Sequence, residues 1–269
     1  MDTSSLFVKD TIRYYKCRHC TFRFSRPEVN LNDQTDIESY EEAYINYLEA
    51  NPSDRHNFNS LLAWISRQVN LSGKKLLDIG CGSGKFVNFL RENRIDAVGL
   101  EPSKPLFDRY LKGNSHFYNF PLQSLATKVQ SQFDVVTLCD VLEHVPQPRS
   151  VLEIISDIQP IGGHVIIEIP VCGTLPSIIL GKYWHFYNKY HLSYFSKAGL
   201  IRLLREHGYT LCSFSYRGKY FQLSYILKYI LYFVFGKNRS GLGAFLERKC
   251  IFLNTYDLLL ACFEKVSER

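Results

Sequence analysis

The stretch Leu76-Leu77-Asp78-Ile79-Gly80-Cys81-Gly82-Ser83-Gly84-Lys85-Phe86 reads as a buried strand that stops at a glycine-rich turn and becomes a helix. Glycines at 80, 82 and 84 permit backbone dihedrals closed to other residues. They also bring bare amide groups against a ligand, with the positive end of the following helix behind them. About twenty residues on, Ala97-Val98-Gly99-Leu100-Glu101 reads as a second strand ending in a carboxylate, placed to accept hydrogen bonds from two ribose hydroxyls. Together the two segments predict an adenosine-containing ligand.

Spacing narrows the ligand. A dinucleotide fingerprint needs GxGxxG, whose third glycine lets the helix pack close to a pyrophosphate; here the third glycine arrives one position early. Asp78 would repel a pyrophosphate but suits a ligand carrying an ammonium group. The segment resembles motif I of the class I S-adenosylmethionine-dependent methyltransferases. That resemblance implies S-adenosyl-L-methionine as cofactor. Gly80, Gly82 and Gly84 would then cradle its methionine part with Cys81 between them, Asp78 would orient the loop or meet the ammonium through water, and Glu101, followed by Pro102, would hold the ribose.

A third segment agrees. Phe133-Asp134-Val135-Val136-Thr137-Leu138-Cys139-Asp140 reads as a central strand buried on both faces, ending at Asp140. The following Val141-Leu142-Glu143-His144-Val145 resembles the "LEH" signature of the ubiquinone-biosynthesis-like branch, methyltransferase-domain types 11 and 23. Asp140 and Val141 would flank the exit of the methyl group. After the third strand such enzymes often place an acid against the adenine amino group, but here the segment is Phe117-Tyr118-Asn119-Phe120. Either Asn119 or a backbone carbonyl takes that role, with Phe120 available to stack on adenine. Ligands of open α/β sheets bind outside the carboxyl ends of the strands, so the segments converge on one crevice.

With 269 residues, 46% of them hydrophobic, the chain can bury one substantial core. Strands are expected near 75–79, 96–101, 115–119, 133–139 and 162–170 with helices between, and two more near 209–218 and 252–264. This predicts a Rossmann-like, doubly wound, mostly parallel seven-stranded sheet with an antiparallel edge hairpin. The methyltransferase domain is expected over 36–269, with an inserted apolar helical segment at 219–250. The net charge of +6 comes without a long basic block, and no RNA-binding module is recognisable, so no nucleic-acid partner is expected. The eight cysteines are scattered and the first ten residues lack a signal-like apolar run, which predicts a cytoplasmic protein with reduced thiols.

Residues 1–35 carry Tyr14-Tyr15-Lys16-Cys17-Arg18-His19-Cys20, which resembles one knuckle of a zinc ribbon. A structural zinc needs four ligands, and the second Cys pair is absent, so no metal is expected and the segment reads as a small β-ribbon held by its aromatic residues.

Methyl transfer needs mainly alignment of donor and acceptor, with a base where the acceptor is a hydroxyl. His191 is the first candidate for that base, His144 the second and His185 the third. Two of these lie in Tyr183-Trp184-His185-Phe186-Tyr187-Asn188-Lys189-Tyr190-His191-Leu192-Ser193-Tyr194-Phe195-Ser196. That stretch resembles the "HLxYFS" segment over the active-site opening of the same enzymes, and its aromatics would wall the acceptor. The apolar run at 221–235 is too short to span a bilayer, which takes about 20 residues. It suits an interfacial contact or a cover for a greasy substrate. The predicted acceptor is a small molecule, glycan or lipid-linked intermediate bearing a hydroxyl. The rival is a noncatalytic S-adenosylmethionine-binding subunit that docks a protein partner.

Overall fold

The computed structural model describes residues 2–20, 22–26, 54–129, 132–223 and 249–268. The chain opens with strands β1 (Thr3–Lys9), β2 (Ile12–Cys17) and β3 (Arg23–Arg26), paired antiparallel in that order. There follow α1 (Asp54–Gln68), β4 (Lys75–Ile79), α2 (Lys85–Glu92), β5 (Asp96–Leu100), α3 (Lys104–Tyr110) and β6 (Phe117–Tyr118). A short α4 (Leu125–Lys128) leads to β7 (Val135–Cys139), α5 (Pro148–Ile158), β8 (His164–Pro170) and α6 (Leu175–Leu180). The remaining described elements are β9 (Ser193–Tyr194), α7 (Lys197–Arg205), β10 (Tyr209–Tyr216), β11 (Lys219–Gln222), β12 (Cys250–Leu253) and β13 (Leu258–Lys265).

Seven strands form the central sheet in the order β10-β13-β8-β7-β4-β5-β6. The five from β8 to β6 run parallel, β13 runs antiparallel to β8, and the edge strand β10 runs antiparallel to β13. This is the Rossmann-like sheet with an antiparallel edge that the sequence implied. Its inner strands are covered on both faces, which is why they read as unbroken apolar runs. Leu76, Ala97, Val135 and Ile166 pack with side chains of α1 and α2, and Leu77, Val136 and Leu138 pack with those of α5 and α7. Each such leucine, isoleucine or valine fully removed from water contributes about 1.5–3 kcal/mol. The helices start where the sequence supplies caps: Ser103 and Ser196 accept backbone N–H bonds from Leu106 and Gly199.

Two expectations need correction. The strand placed at 252–264 is two elements, β12 and β13, because the chain turns at residues 254–257. The segment placed as helical at 219–250 begins and ends as paired strands, with Lys219 opposite Leu253 and Gln222 opposite Cys250. Most of it, including most of 221–235, lies outside the described residues.

Candidate active site

The glycine turn leaves β4 with φ of +71° at Gly80, +56° at Gly82 and +71° at Gly84. Packing adds a second constraint. A Cβ on Gly80 would come within 2.7 Å of Val141 Cγ2, and one on Gly84 within 2.6 Å of Leu111 Cδ2. The turn is tied to the end of β5: the Gly82 and Ser103 N–H groups donate to the two oxygens of the buried Glu101 carboxylate, at 2.8 Å each. The Asn119 amide donates to the carbonyl of Glu101 (2.8 Å), fixing the same loop. Cys81 turns its thiol toward β5, where a Cβ on Gly99 would meet Sγ at 2.6 Å. Lys85, after the turn, reaches back to Asp54 of α1 at 2.9 Å.

Asp78 is buried and accepts a 2.6 Å bond from the Thr137 hydroxyl. Burial raises its carboxyl to about 7, with the Glu101 charge adding to the rise and the Thr137 bond opposing it. Pro102 follows Glu101, and Phe120 packs on Tyr118 with ring centroids 5.5 Å apart.

At the end of β7 the chain takes a left-handed turn at Asp140 (φ +55°), a conformation that costs a non-glycine residue about 1 kcal/mol or more. Lys219 of β11 lies 2.8 Å from Asp140 Oδ2 and 2.7 Å from Glu168 Oε1. Arg217 pairs with the same buried Glu168 and donates to the Asn57 carbonyl at 2.5 Å. Burial alone would raise the Glu168 carboxyl, but Lys219 and Arg217 outweigh it and hold it at about 2. The sequence reading missed this network. Its signal was there: Glu168 is the one charged residue inside the apolar strand His164-Val165-Ile166-Ile167-Glu168-Ile169-Pro170.

Two of the three candidate histidines meet. His144 and His191 stand edge to face at 4.7 Å, and with Glu143 they bring ligand atoms within 4.8 Å of one another, a set that can hold a divalent cation. His144 Nδ1 lies 2.9 Å from the Tyr190 carbonyl. In the neutral ring that nitrogen therefore carries the hydrogen, and Nε2 is the one that can accept a proton. His144 Nε2 is 4.0 Å from Glu143 Oε1. Among the described residues, neither oxygen of buried Glu143 nor Nδ1 of buried His191 has a hydrogen-bond partner. Burial raises the Glu143 carboxyl well above its ordinary range, helped by Asp140, and lowers the His144 imidazole. His191 falls to about 3 through burial, with His144 adding to the fall. His185 stays outside the trio, exposed, its ring on Phe186 at 4.0 Å.

The aromatic stretch expected to wall the acceptor is largely core. Trp184, Tyr187 and Tyr194 are buried with Ile12 and Tyr14 of β2, and Trp184 Nε1 donates to Asp257 at 2.8 Å. The N-terminal ribbon causes this, because β3 pairs with β9 and extends the ribbon into the loop that carries His191. Ser25 Oγ and the Tyr194 hydroxyl both donate to the His191 carbonyl, at 2.8 and 2.9 Å. Cys17 sits at the end of β2, its thiol lowered by hydrogen bonds from Cys20 and His19. Among the described residues, no third donor joins the two cysteines.

Residues 53–213 match the model of a methyltransferase domain. Over 120 residues the chain is 35% identical to the ubiquinone biosynthesis O-methyltransferase of Pseudomonas fluorescens (strain Pf0-1), covering 42% of this chain and 52% of that one. It is 33% identical over 122 residues to the protein of the same name from Acinetobacter baumannii (strain AYE), with the same coverage. The chain thus spans about half the length of the curated relatives it matches. In fold it is similar to a SAM-dependent methyltransferase from Archaeoglobus fulgidus, with 17% identity, a TM-score of 0.52, and 78% of this chain and 94% of that one covered. It is also similar to the Burkholderia thailandensis 1,6-didemethyltoxoflavin-N1-methyltransferase with bound S-adenosylhomocysteine, with 13% identity, a TM-score of 0.54 and coverage of 98% and 99%. The left-handed glycines and the buried carboxylate beside them fit such a cofactor, and the chain belongs to the methyltransferase-domain family.

Proposed function

We propose that this chain methylates a hydroxyl group on a small molecule, glycan or lipid-linked intermediate. The observation that carries the reading is the pairing of the Glu101–Gly82 cofactor turn with a neutral His144 at the end of β7. The curated relatives, named as O-methyltransferases, support the oxygen acceptor. Four exposed apolar side chains on α6, Leu175, Ile178, Ile179 and Leu180, follow the carboxyl end of β8 and favour an acceptor with a greasy part.

In this reading Glu101 accepts from the ribose hydroxyls while its own backbone donors hold it in place. Gly80, Gly82 and Gly84 approach the methionine portion, and the Asn119 side-chain oxygen takes the adenine amino group beside Phe120. Ionised Asp78 answers the ammonium, and Asp140 and Val141 bound the space where the acceptor stands. Bound S-adenosylmethionine supplies a methyl group on a sulfonium, whose departure as a neutral thioether needs no acid from the protein. His144 removes the hydroxyl proton through Nε2, with His191 and Glu143 packed beside it. Burial leaves His191 less basic than His144, so the first candidate becomes a positioning residue. Alignment supplies most of the acceleration, about 7–11 kcal/mol in favourable cases.

Calorimetric binding of S-adenosylhomocysteine, followed by a screen of hydroxyl acceptors with His144→Gln as control, tests the reading. Binding with turnover lost in the variant upholds it. Binding without turnover on any acceptor favours the docking-subunit alternative, and no binding by the folded chain removes the cofactor assignment. Flotation with liposomes, against Ile178→Asp/Ile179→Asp, separates lipid-linked from free acceptors.

A further inference from the structure

We propose a second site, at the end of the sheet away from the cofactor crevice: His164, Cys212 and Cys262 form a binding site for a thiophilic divalent cation, Zn2+, with Glu264 as the fourth ligand. The three donors come from adjacent strands β8, β10 and β13, and their ligand atoms lie within 4.8 Å of one another.

Register brings them together. His164 stands opposite Glu264 across the β8–β13 pair. Cys262 lies two residues from Glu264 on the same strand and therefore on the same face. Cys212 occupies an irregularity in the β10–β13 ladder, which shifts between Leu211 and Ser213. A bulge of this kind re-aims a side chain, and here it sets Cys212 Sγ 4.0 Å from Glu264 Oε2. Tetrahedral zinc, with Zn–S about 2.3 Å and Zn–N about 2.0 Å, separates its ligand atoms by about 3.5–3.8 Å.

Donor chemistry and charge agree. Two thiols and an imidazole select zinc over calcium or magnesium. Cys212 Sγ lies 4.0 Å from Glu264 Oε2, and Cys262 belongs to the same cluster. Three potentially anionic groups thus crowd one another. Lys74, the cation that acts on His164, pairs with Asp134 at 3.1 Å. A dication supplies the countercharge and releases the thiol protons as it binds. It would also pin the antiparallel strands β10 and β13 to β8, whose far end carries Glu168.

The test is a cobalt titration of the full reduced chain carrying Cys17→Ser/Cys20→Ser, which removes the other close thiol pair. One equivalent of Co2+ should produce thiolate charge-transfer absorption with tetrahedral visible bands, displaced by Zn2+, and zinc should raise the melting temperature. Cys212→Ser should weaken binding at least tenfold, and Cys262→Ser should abolish it. Cys212 is exposed, so its variant tests the site even where the buried Cys262→Ser fails to fold. Absence of the bands in the double-variant background, or their survival in Cys212→Ser, overturns the site. Formation of a Cys212–Cys262 disulfide in place of any metal spectrum overturns it equally.

Discussion

Ser25 Oγ, on the N-terminal ribbon, donates a 2.8 Å hydrogen bond to the carbonyl of His191, so the ribbon holds one wall of the site in place. The Tyr194 hydroxyl donates to the same oxygen at 2.9 Å. Ser25→Ala should destabilise the chain by about 1 kcal/mol, and Ser25→Ala/Tyr194→Phe by more than the sum of the two, because the second removal leaves a buried carbonyl unpaired. S-adenosylhomocysteine affinity should stay within twofold, since the glycine turn is untouched. Urea titration and calorimetry read the two quantities, and equal loss of both would show that the ribbon supports the whole domain and not the His191 loop.

Glu101→Ala removes the acceptor of the Gly82 and Ser103 N–H groups together with the proposed ribose contact. S-adenosylhomocysteine should bind at least a hundredfold more weakly, about 2.7 kcal/mol. A calorimetric dissociation constant within threefold of the parent would take Glu101 out of the cofactor site.

The Asp78 carboxyl is raised to about 7 by burial, so in the ligand-free chain its stabilising balance is full below 3.8 and is lost as pH rises through about 7. A ligand ammonium favours the ionised form. Affinity for S-adenosylhomocysteine should therefore fall as pH drops below about 7, by up to about tenfold per unit, and Asp78→Asn should flatten the profile. A pH-independent parent affinity would separate Asp78 from the ammonium.

Glu168 and His191 are two of the groups that make the fold sensitive to acid. Glu168 is held at about 2 against 4.5, so its contribution is present above 4.5 and is lost as pH falls toward 2. His191 is held at about 3 against 6.5, so stability falls as pH drops from 6.5 toward 3, where the unfolded chain binds the proton first. His191→Gln should reduce the fall of the urea midpoint between pH 6.5 and 4.5, leaving the share carried by His144, while Glu168 still acts in the lower range. At neutral pH, Arg217→Met leaves the buried Glu168 carboxylate with Lys219 alone and should cost about 3–5 kcal/mol. An unchanged midpoint in that variant would place Arg217 outside the stabilising network.

The sequence by itself determined the sheet and the glycine turn after β4. The run Leu76–Gly84 could only be a buried strand ending in a left-handed turn, and Glu101 could only follow a second strand, because both signals depend on local periodicity and on backbone dihedrals that glycine alone adopts readily. Tertiary structure decided what lies between distant segments. It joined β3 to β9, took Trp184 and Tyr187 into the core, placed Lys219 between Asp140 and Glu168, and set His144 against His191. Of these only the Lys219 network left a local trace, the charged Glu168 inside an apolar strand, and that trace does not name its partners. Each pairing is fixed by strand register and by the need to satisfy buried polar groups, and those constraints exist only once the chain has folded.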